Sequence, residues 1–556
     1  MTLTKQTSIT VKAPQQTHHH HHNRRILFLS LEFNYAPFSG NGVLCRSLVT
    51  GLLQNNDSST TTENEMEIRV ICAKPHPSTP NLSSDIIVTH KNLEIWPVQL
   101  QKQSSSCNQW KRLDRHGPWK EFAAAVSYKD GTTSTNNNNN NHDTDINNLR
   151  ECIEQFDPTD VIAVDWHGML AWQAFCSTKH PIPKVNVCYY NFRVYSSSSW
   201  GNENDTDGDC DENQFYEKME QLACRLADGI VCLSEHDRRA LHKLMMQQED
   251  DKDEGSKDVM NNSTLEQTKI QEITILPPPL RGDVCKLARM LDDRIQQLME
   301  DEGGIESSLY SMYLPDKARE ALDYVHQQQQ QERQTTQQRL FITCISRLSP
   351  EKSPHIFVNL LQQLGGVDFL RRYHLVPILC GARSVESYAD EVIQSFKSIC
   401  STNNDSDDDS YWPCIVIDHH LGPKELAAIF SHTVLNVHPC LYDAYGMTLV
   451  ESAAFGVPSV VNCGGKVGAA ALLGENEGCV ALDLSGLEKE KEVKSESTTI
   501  EKLKELLLPR MQQHTDSPQR SWSTHLTQIA KKARHQALGW NELSCCHGLM
   551  EQLNSF

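Results

Sequence analysis

From Arg24 onward the chain alternates short runs of consecutive apolar residues with longer stretches in which apolar positions recur every three or four residues. RRILFLSLEF places Ile26, Leu27, Phe28 and Leu29 in succession, the pattern of a strand buried on both faces. The polar stretch NYAPFSGNG follows. VLCRSLVTGLLQ then spaces Val43, Leu44, Leu48, Leu52 and Leu53 along one face of a helix. Further short strands are predicted at Glu67 to Ala73, Asp160 to Val164, Lys184 to Tyr189 and Gly229 to Leu233, with helices such as Gly168 to Phe175 and Phe215 to Leu226 between them. A second series starts near Leu340: LFITCISRL, HLVPILCG, CIVIDHHLG, VLNVHPC and PSVVNCGG read as strands, and HIFVNLLQQL and PKELAAIFSH as helices. Strands alternating with helices predict an α/β fold with parallel sheets, here two Rossmann-like halves. The C-terminal segment from Thr524 reads as amphipathic helix broken at Gly539-Trp540.

Polar, low-complexity stretches interrupt this pattern: Asn136 to Asn141, Asp250 to Asn262, a Gln-rich stretch opened by Gln327 to Gln331, and Asn403 to Ser410. Their composition predicts disordered inserts without chemistry. The expected organisation is a disordered tail over 1–23, an N-terminal domain over 24–285, a helical and Gln-rich connector over 286–338, a C-terminal domain over 339–490, and helices over 491–556 that pack back toward the N-domain. The 556 residues are ample for two domains with inserts. The net charge of −20 argues against a nucleic-acid partner, which needs a basic face. Much of that charge lies in the acidic tracts Asp205 to Glu212, Glu249 to Glu254 and Asp405 to Asp409, read as solvated inserts. Nineteen cysteines contain no CxxC pair, so neither a zinc site nor a disulfide framework is readable; buried thiols in a reducing, cytoplasmic setting are expected. No apolar run approaches the roughly 20 residues that span a bilayer. The Ser/Thr-rich, acid-poor N-terminus leaves organelle targeting open, and His18 to His22 reads as a tail feature.

The chemistry concentrates in HPCLYDAYGMTLVESAAFGVPSVVNCGG, from His438 to Gly465. A strand end leads into a turn, a helix follows over about Thr448 to Phe455, and Asp443 and Glu451 stand eight residues apart. A carboxylate at a helix N-terminus, with backbone N–H groups aimed into a cleft, suits sugar hydroxyls and phosphate oxygens. Gly446 and the amides of Met447 and Thr448 would approach such a ligand. Upstream, Arg347 and Lys352 in ISRLSPEKSP set a forked donor and a point charge just past a strand, suited to neutralising a diphosphate without a metal. The Asp443/Glu451 stretch resembles the D/E-x7-E signature of retaining nucleotide-sugar glycosyltransferases with the two-domain GT-B fold, of the family-4 type (glycosyl transferases group 1). Arg347 and Lys352 resemble that family's R-x4-K donor element.

The resemblance implies two Rossmann-like domains facing a central cleft. It implies that Asp443 contacts hydroxyls of the transferred sugar and that Glu451 binds the nucleotide ribose. The family more often has Glu at the first of these positions. Gly40 and Gly42 match a loop beneath the donor phosphate, and the backbone near Leu421 matches the segment that meets the base. Asp165-Trp166-His167 resembles the HDW element of glycogen- and sucrose-synthase-like relatives, with Asp165 and His167 near the reacting sugar. There a His precedes the Asp, whereas here Val164 does. Ser234 resembles a Ser-containing turn and reads as a helix N-cap. The implied activity is metal-independent transfer from a nucleotide-diphosphate sugar, UDP- before GDP- or ADP-, to an unidentified glycan, lipid or small-molecule acceptor, with no cofactor and no metal ligand. The Asp443 and Val164 departures motivate the alternative of a catalytically silent nucleotide-sugar-binding module. SGNG in place of GxGxxG disfavours a dinucleotide-dependent epimerase or dehydrogenase, and no segment resembles the lysine site of a pyridoxal-dependent phosphorylase.

Overall fold

The computed structural model describes residues 24–35, 40–58, 66–74, 88–100, 119–127, 149–177, 184–195, 209–250, 272–300, 311–331, 339–400, 412–487, 496–507 and 524–555. Two parallel sheets organise them. The first contains β1 (Arg24–Ser30), β2 (Met66–Lys74), β3 (Leu93–Gln99), β4 (Asp160–Val164), β5 (Asn186–Tyr190), β6 (Gly229–Cys232) and β7 (Ile273–Ile275), in the order β3-β2-β1-β4-β5-β6-β7. The second contains β8 (Phe341–Ile345), β9 (Val376–Cys380), β10 (Ile415–Ile417), β11 (Thr433–His438), β12 (Ser459–Asn462) and β13 (Val480–Leu482), in the order β10-β9-β8-β11-β12-β13. β4, β8, β9 and β11 are buried at every position, which is why apolar residues occupy both of their faces rather than alternating with exposed polar ones.

Both sheets reverse their strand order beside the first strand, at β1/β4 and at β8/β11. Such switch points open crevices outside the carboxyl ends of the strands. After β1 and β4, Gly40 and Asp165 open the next helices, and the loops after β8 and β11 carry Arg347 and Asp443.

The C-terminal helices tie the halves together. Thr524–Gly539 packs on the helix Met447–Ala454, and Glu542–Ser555 packs on Gly40–Ser58. At the break between them, Leu280 N donates to Trp540 O (2.9 Å) and Trp540 Nε1 donates to Pro277 O (3.1 Å). Cys545, Cys546, Leu549 and Leu553 of the last helix are buried.

Two expectations are corrected. Gln327–Gln331 is no loop: it forms the last turn of the helix Asp316–Gln331, with Gln329 buried. The buried face of that helix (Ala318, Ala321, Leu322 and Val325) carries the helix into the glutamines, which are good helix formers once a face is anchored. Asp209 to Glu212 likewise belongs to a helix, Asp209–Leu226, rather than to an insert. Residues 1–23, Asn136 to Asn141, 251–262 and Asn403 to Ser410 lie outside the described residues. The sequence reading had not singled out β3, β7, β13 or the helices Trp119–Ser127 and Leu149–Phe156. No disulfide joins the cysteines among the described residues, and no helix there is long and apolar enough to cross a membrane.

The seam between the first and last helices yields a test. A Cβ on Gly51 would lie 2.6 Å from Cys546 Sγ and 2.7 Å from Glu542 O. Gly51→Val is therefore expected to destabilise the protein by about 1–3 kcal/mol, measured by urea unfolding. An unchanged midpoint would contradict this packing.

Candidate functional site

β8 and β11 are neighbours, so the loops that leave them lie side by side although they are about ninety residues apart in sequence. The contact between them is Lys352 Nζ to Asp443 Oδ2, at 2.6 Å. Lys352 closes a 3-10 turn, Pro350–Lys352, after β8. Asp443 is strapped by its backbone: its N–H donates to Lys466 O (3.0 Å), its carbonyl accepts from Gly468 N (3.1 Å), and its Oδ1 accepts from Tyr445 N (3.3 Å). His438, the last residue of β11, brings Nε2 to 3.2 Å from Asp443 Oδ2, off the hydrogen-bonding line, so charge rather than alignment holds that pair.

Burial alone would raise the Asp443 carboxyl. Lys352 and His438 outweigh it and hold the group well below the ordinary carboxylate range. Burial would likewise lower Lys352, and Asp443 reverses the sign. For His438, burial pushes down, while Cys440 and Asp443 push harder the other way and lift it to about 9. At neutral pH the cluster is one carboxylate between two cations. His438, Cys440 and Asp443 could each turn a ligand atom toward a metal, since those atoms lie within 4.8 Å of one another. The ammonium and the imidazolium already occupy the carboxylate's side of that space, a poor setting for a divalent ion.

The helix Met447–Ala454 starts directly above this cluster. Gly446 takes φ +84°, and a Cβ there would press on His438 Nε2, Leu449 and Val467, each at 3.3 Å. Glycine is what lets the turn close. Met447 and Thr448 form the first turn, where backbone N–H groups have no intrahelical acceptor. Arg347 is part-exposed and paired with Glu351, and its charge reaches Lys352. Leu421 is half-buried, just before the helix Pro423–Ser431.

Glu451 is buried in that signature helix, 3.4 Å from Arg281 Nη1, and Arg281 also binds Asp283 at 2.7 Å. Burial raises Glu451 to about 7, with Arg281 opposing. Arg281 was missed in the sequence because its partner is 170 residues away. The polyproline-like run before it, LPPPL, was the one signal of a positioned loop.

On the N-terminal side, Asp165 follows β4 with φ +62° and is fully buried. Its Oδ2 accepts from Asn41 Nδ2 (3.2 Å) and Tyr195 OH (3.1 Å), and its Oδ1 from Trp166 N (3.0 Å). Burial raises its carboxyl despite His167. His167 is also buried, 3.9 Å from Asp165, and burial favours its neutral form. The structure thus brings Asp165 and His167 to each other beneath Asn41 and Tyr195, separately from the Lys352–Asp443 cluster. Gly40 and Gly42 open the helix Gly40–Ser58, where a Cβ on Gly40 would fall 2.2 Å from the Phe192 ring. Close packing against Phe192 therefore accounts for that glycine. Ser234 caps the helix Glu235–Asp250, its Oγ accepting from Asp237 N at 3.1 Å.

Besides the Arg281–Glu451 pair, a second contact crosses between the two domains beside Asp443. Tyr442 OH donates to Asp237 Oδ1 at 3.0 Å, with His236 and Arg193 beside its ring. Neither a family model nor a curated protein sequence matches the chain. Solved structures do. The sucrose-phosphate synthase of Thermosynechococcus elongatus is similar at a TM-score of 0.57 and 10% identity, over 96% of this chain and 98% of that one. A UDP-forming α,α-trehalose-phosphate synthase of Burkholderia xenovorans, in complex with glucose-6-phosphate, gives 0.57 and 11% over 96% and 100%. The E. coli trehalose-6-phosphate protein bound with UDP-2-fluoro glucose gives 0.56 and 11% over 96% and 99%. The chain has the GT-B fold. In GT-B terms, the Lys352–Asp443 cluster lies in the C-terminal Rossmann-like domain and Asp165 in the N-terminal one.

The cluster's electrostatics predict a pH signature. Because the folded-state pKa of His438 is raised, its stabilising contribution is complete below about pH 6.5 and is lost as pH rises through about 9. His438→Gln should lower the melting temperature near neutral pH and remove that part of the decline between pH 6.5 and 9. Parallel wild-type and variant curves across this range would contradict a charged His438.

Proposed function

We propose that the chain is a retaining, metal-independent glycosyltransferase of the family-4 type that moves a sugar from a UDP-sugar to an acceptor bound against the N-terminal domain. The observation that carries this reading is the 2.6 Å contact between Lys352 and Asp443, which joins the two separate halves of the donor pattern at one helix N-terminus. Similar solved structures support a UDP-sugar as donor, since they include complexes with UDP and UDP-2-fluoro glucose and a UDP-forming synthase.

In this reading Lys352 and Arg347 face the diphosphate, where negative charge grows as the bond from the anomeric carbon to the phosphate oxygen breaks. The amides of Met447 and Thr448 add the helix N-terminus to the same task. Asp443 holds hydroxyls of the transferred sugar and Glu451 the ribose, with Arg281 keeping Glu451 oriented. The acceptor oxygen bonds to the anomeric carbon on the face the phosphate leaves, and the acceptor's proton passes to that departing phosphate. Front-face displacement of this kind retains configuration. A silent donor-binding module is the second reading, favoured by the complete burial of Asp165 and the burial of His167.

A thermal-shift panel of UDP, GDP and ADP with and without EDTA, followed by UDP-glucose hydrolysis, tests the proposal. Stabilisation by UDP, insensitive to EDTA and accompanied by slow hydrolysis, is expected. Lys352→Ala and Arg347→Ala should each reduce hydrolysis by about 100-fold or more while circular dichroism remains native. UDP binding without any hydrolysis would favour the silent module, and no stabilisation by any nucleotide would overturn both readings.

A further inference from the structure

Tyr442 immediately precedes Asp443, yet its side chain serves the other domain. The backbone on either side of it is fixed within the C-terminal domain: Leu441 O accepts from Asn462 Nδ2 at 3.2 Å, and Asp443 N donates to Lys466 O at 3.0 Å. From this fixed turn the phenol crosses to Asp237 in the first turn of the helix Glu235–Asp250, bonding Oδ1 at 3.0 Å. The receiving carboxylate is itself immobile. Asp237 is fully buried, its Oδ2 accepts from Ser234 Oγ at 2.5 Å, and its backbone N–H donates back to Ser234 Oγ at 3.1 Å. The His236 ring lies 4.9 Å from the Tyr442 ring, and the Arg193 guanidinium lies 5.7 Å from it. Arg193 is equally close, 5.7 Å, to the ring of Tyr195, whose hydroxyl binds Asp165.

The two domains also approach each other beside the Tyr442–Asp237 bond. A Cβ on Gly468, whose N–H bonds Asp443 O, would come 3.2 Å from Ser234 Cβ. A continuous set of contacts therefore runs from the Asp443 turn through Tyr442 to Asp237 and Ser234, and through Arg193 and Tyr195 to Asp165.

We propose that Tyr442 is a positioning residue: its bond to Asp237 sets the spacing of the two domains and with it the place of the Asp443 carboxylate relative to the acceptor side. Its role in turnover rests on the glycosyltransferase reading above, whereas its role in domain spacing does not. The geometry favours this assignment over a merely space-filling tyrosine. The hydroxyl is satisfied by a buried carboxylate that a helix cap already orients, and tyrosine is the side chain that spans the gap with few rotatable bonds and a polar tip. Removing the hydroxyl leaves Asp237 with Ser234 and its own helix N-terminus, so the helix survives and only the crossing bond is lost.

The test uses the full chain and three variants: Tyr442→Phe, Asp237→Ala and Asp237→Asn. Small-angle scattering without ligand reads the domain spacing, UDP titration reads the donor site, and UDP-glucose hydrolysis reads turnover. Tyr442→Phe should increase the radius of gyration and lower the hydrolysis rate about tenfold while UDP affinity stays within twofold, since the UDP contacts proposed above lie in the C-terminal domain. Asp237→Ala should do the same. Asp237→Asn, which still offers a carbonyl oxygen to the phenol, should stay near wild type. A Tyr442→Phe protein with wild-type scattering would overturn the proposal whatever its activity. Wider spacing with an unchanged hydrolysis rate would overturn the positioning role. Wider spacing in a chain whose wild type binds no UDP would leave the spacing role standing and overturn the donor reading instead.

Discussion

A carboxylate held between an ammonium and an imidazolium organises this molecule. Burial by itself favours the protonated form of Asp443. Lys352 and His438 reverse that preference, and each comes from the carboxyl end of a central strand of the same sheet or from the loop just after it. The charge cluster therefore requires β8 and β11 to be adjacent, and that adjacency requires the reversal of strand order at the middle of the sheet. Breaking one partner leaves an uncompensated charge in a partly buried position, an outcome far more costly than losing a surface ion pair. Gly446 completes the arrangement: its φ of +84° and the 3.3 Å a Cβ would leave to His438 Nε2 let the helix begin against the cluster only with glycine there.

The second organising feature is that the donor-like turn belongs to one domain through its backbone and to the other through Tyr442. Most connections between the halves run along the C-terminal helices, where apolar packing against Gly40–Ser58 is broad and non-directional. The Tyr442–Asp237 bond and the Arg281–Glu451 ion pair are directional contacts between the halves, and the phenol is the one that leaves the Asp443 turn itself. The helices hold the domains together, and the phenol specifies how close their facing loops come. Two-domain proteins with modest cleft contacts move readily, which is why a single hydrogen bond at this position is able to matter.

The sequence made much of this legible, for physical reasons. Parallel strands buried on both faces carry consecutive apolar residues, so β1, β4, β8, β9 and β11 stood out despite buried polar positions such as Asn436. β3 lies at a sheet edge, alternates and contains Pro97, and β7 and β13 have three residues each, so none carried a long run. Arg347, Lys352, Asp443 and Glu451 were singled out by resemblance to a family pattern, and of these the structure brings Lys352 and Asp443 into contact. Arg281 and Tyr442 were not, because each acts on a partner 170 or 205 positions away, and no local pattern encodes such a meeting. His438 was visible as a strand end, but its charge depends on Asp443 and Cys440 folding back toward it. The glutamine run misled because composition reports what a segment can do alone, whereas the helix Asp316–Gln331 is held by the apolar face of its earlier turns.

A double-mutant cycle between Lys352 and Asp443 tests the central claim most directly. Unfolding free energies of the wild type, Lys352→Met, Asp443→Asn and the double variant would be compared at neutral pH and low salt. A favourable coupling of about 1 kcal/mol or more is expected, with the double variant losing less than the sum of the single losses. Additive losses would mean that the two groups do not interact in the folded protein, and the cluster on which the site is built would not exist as described.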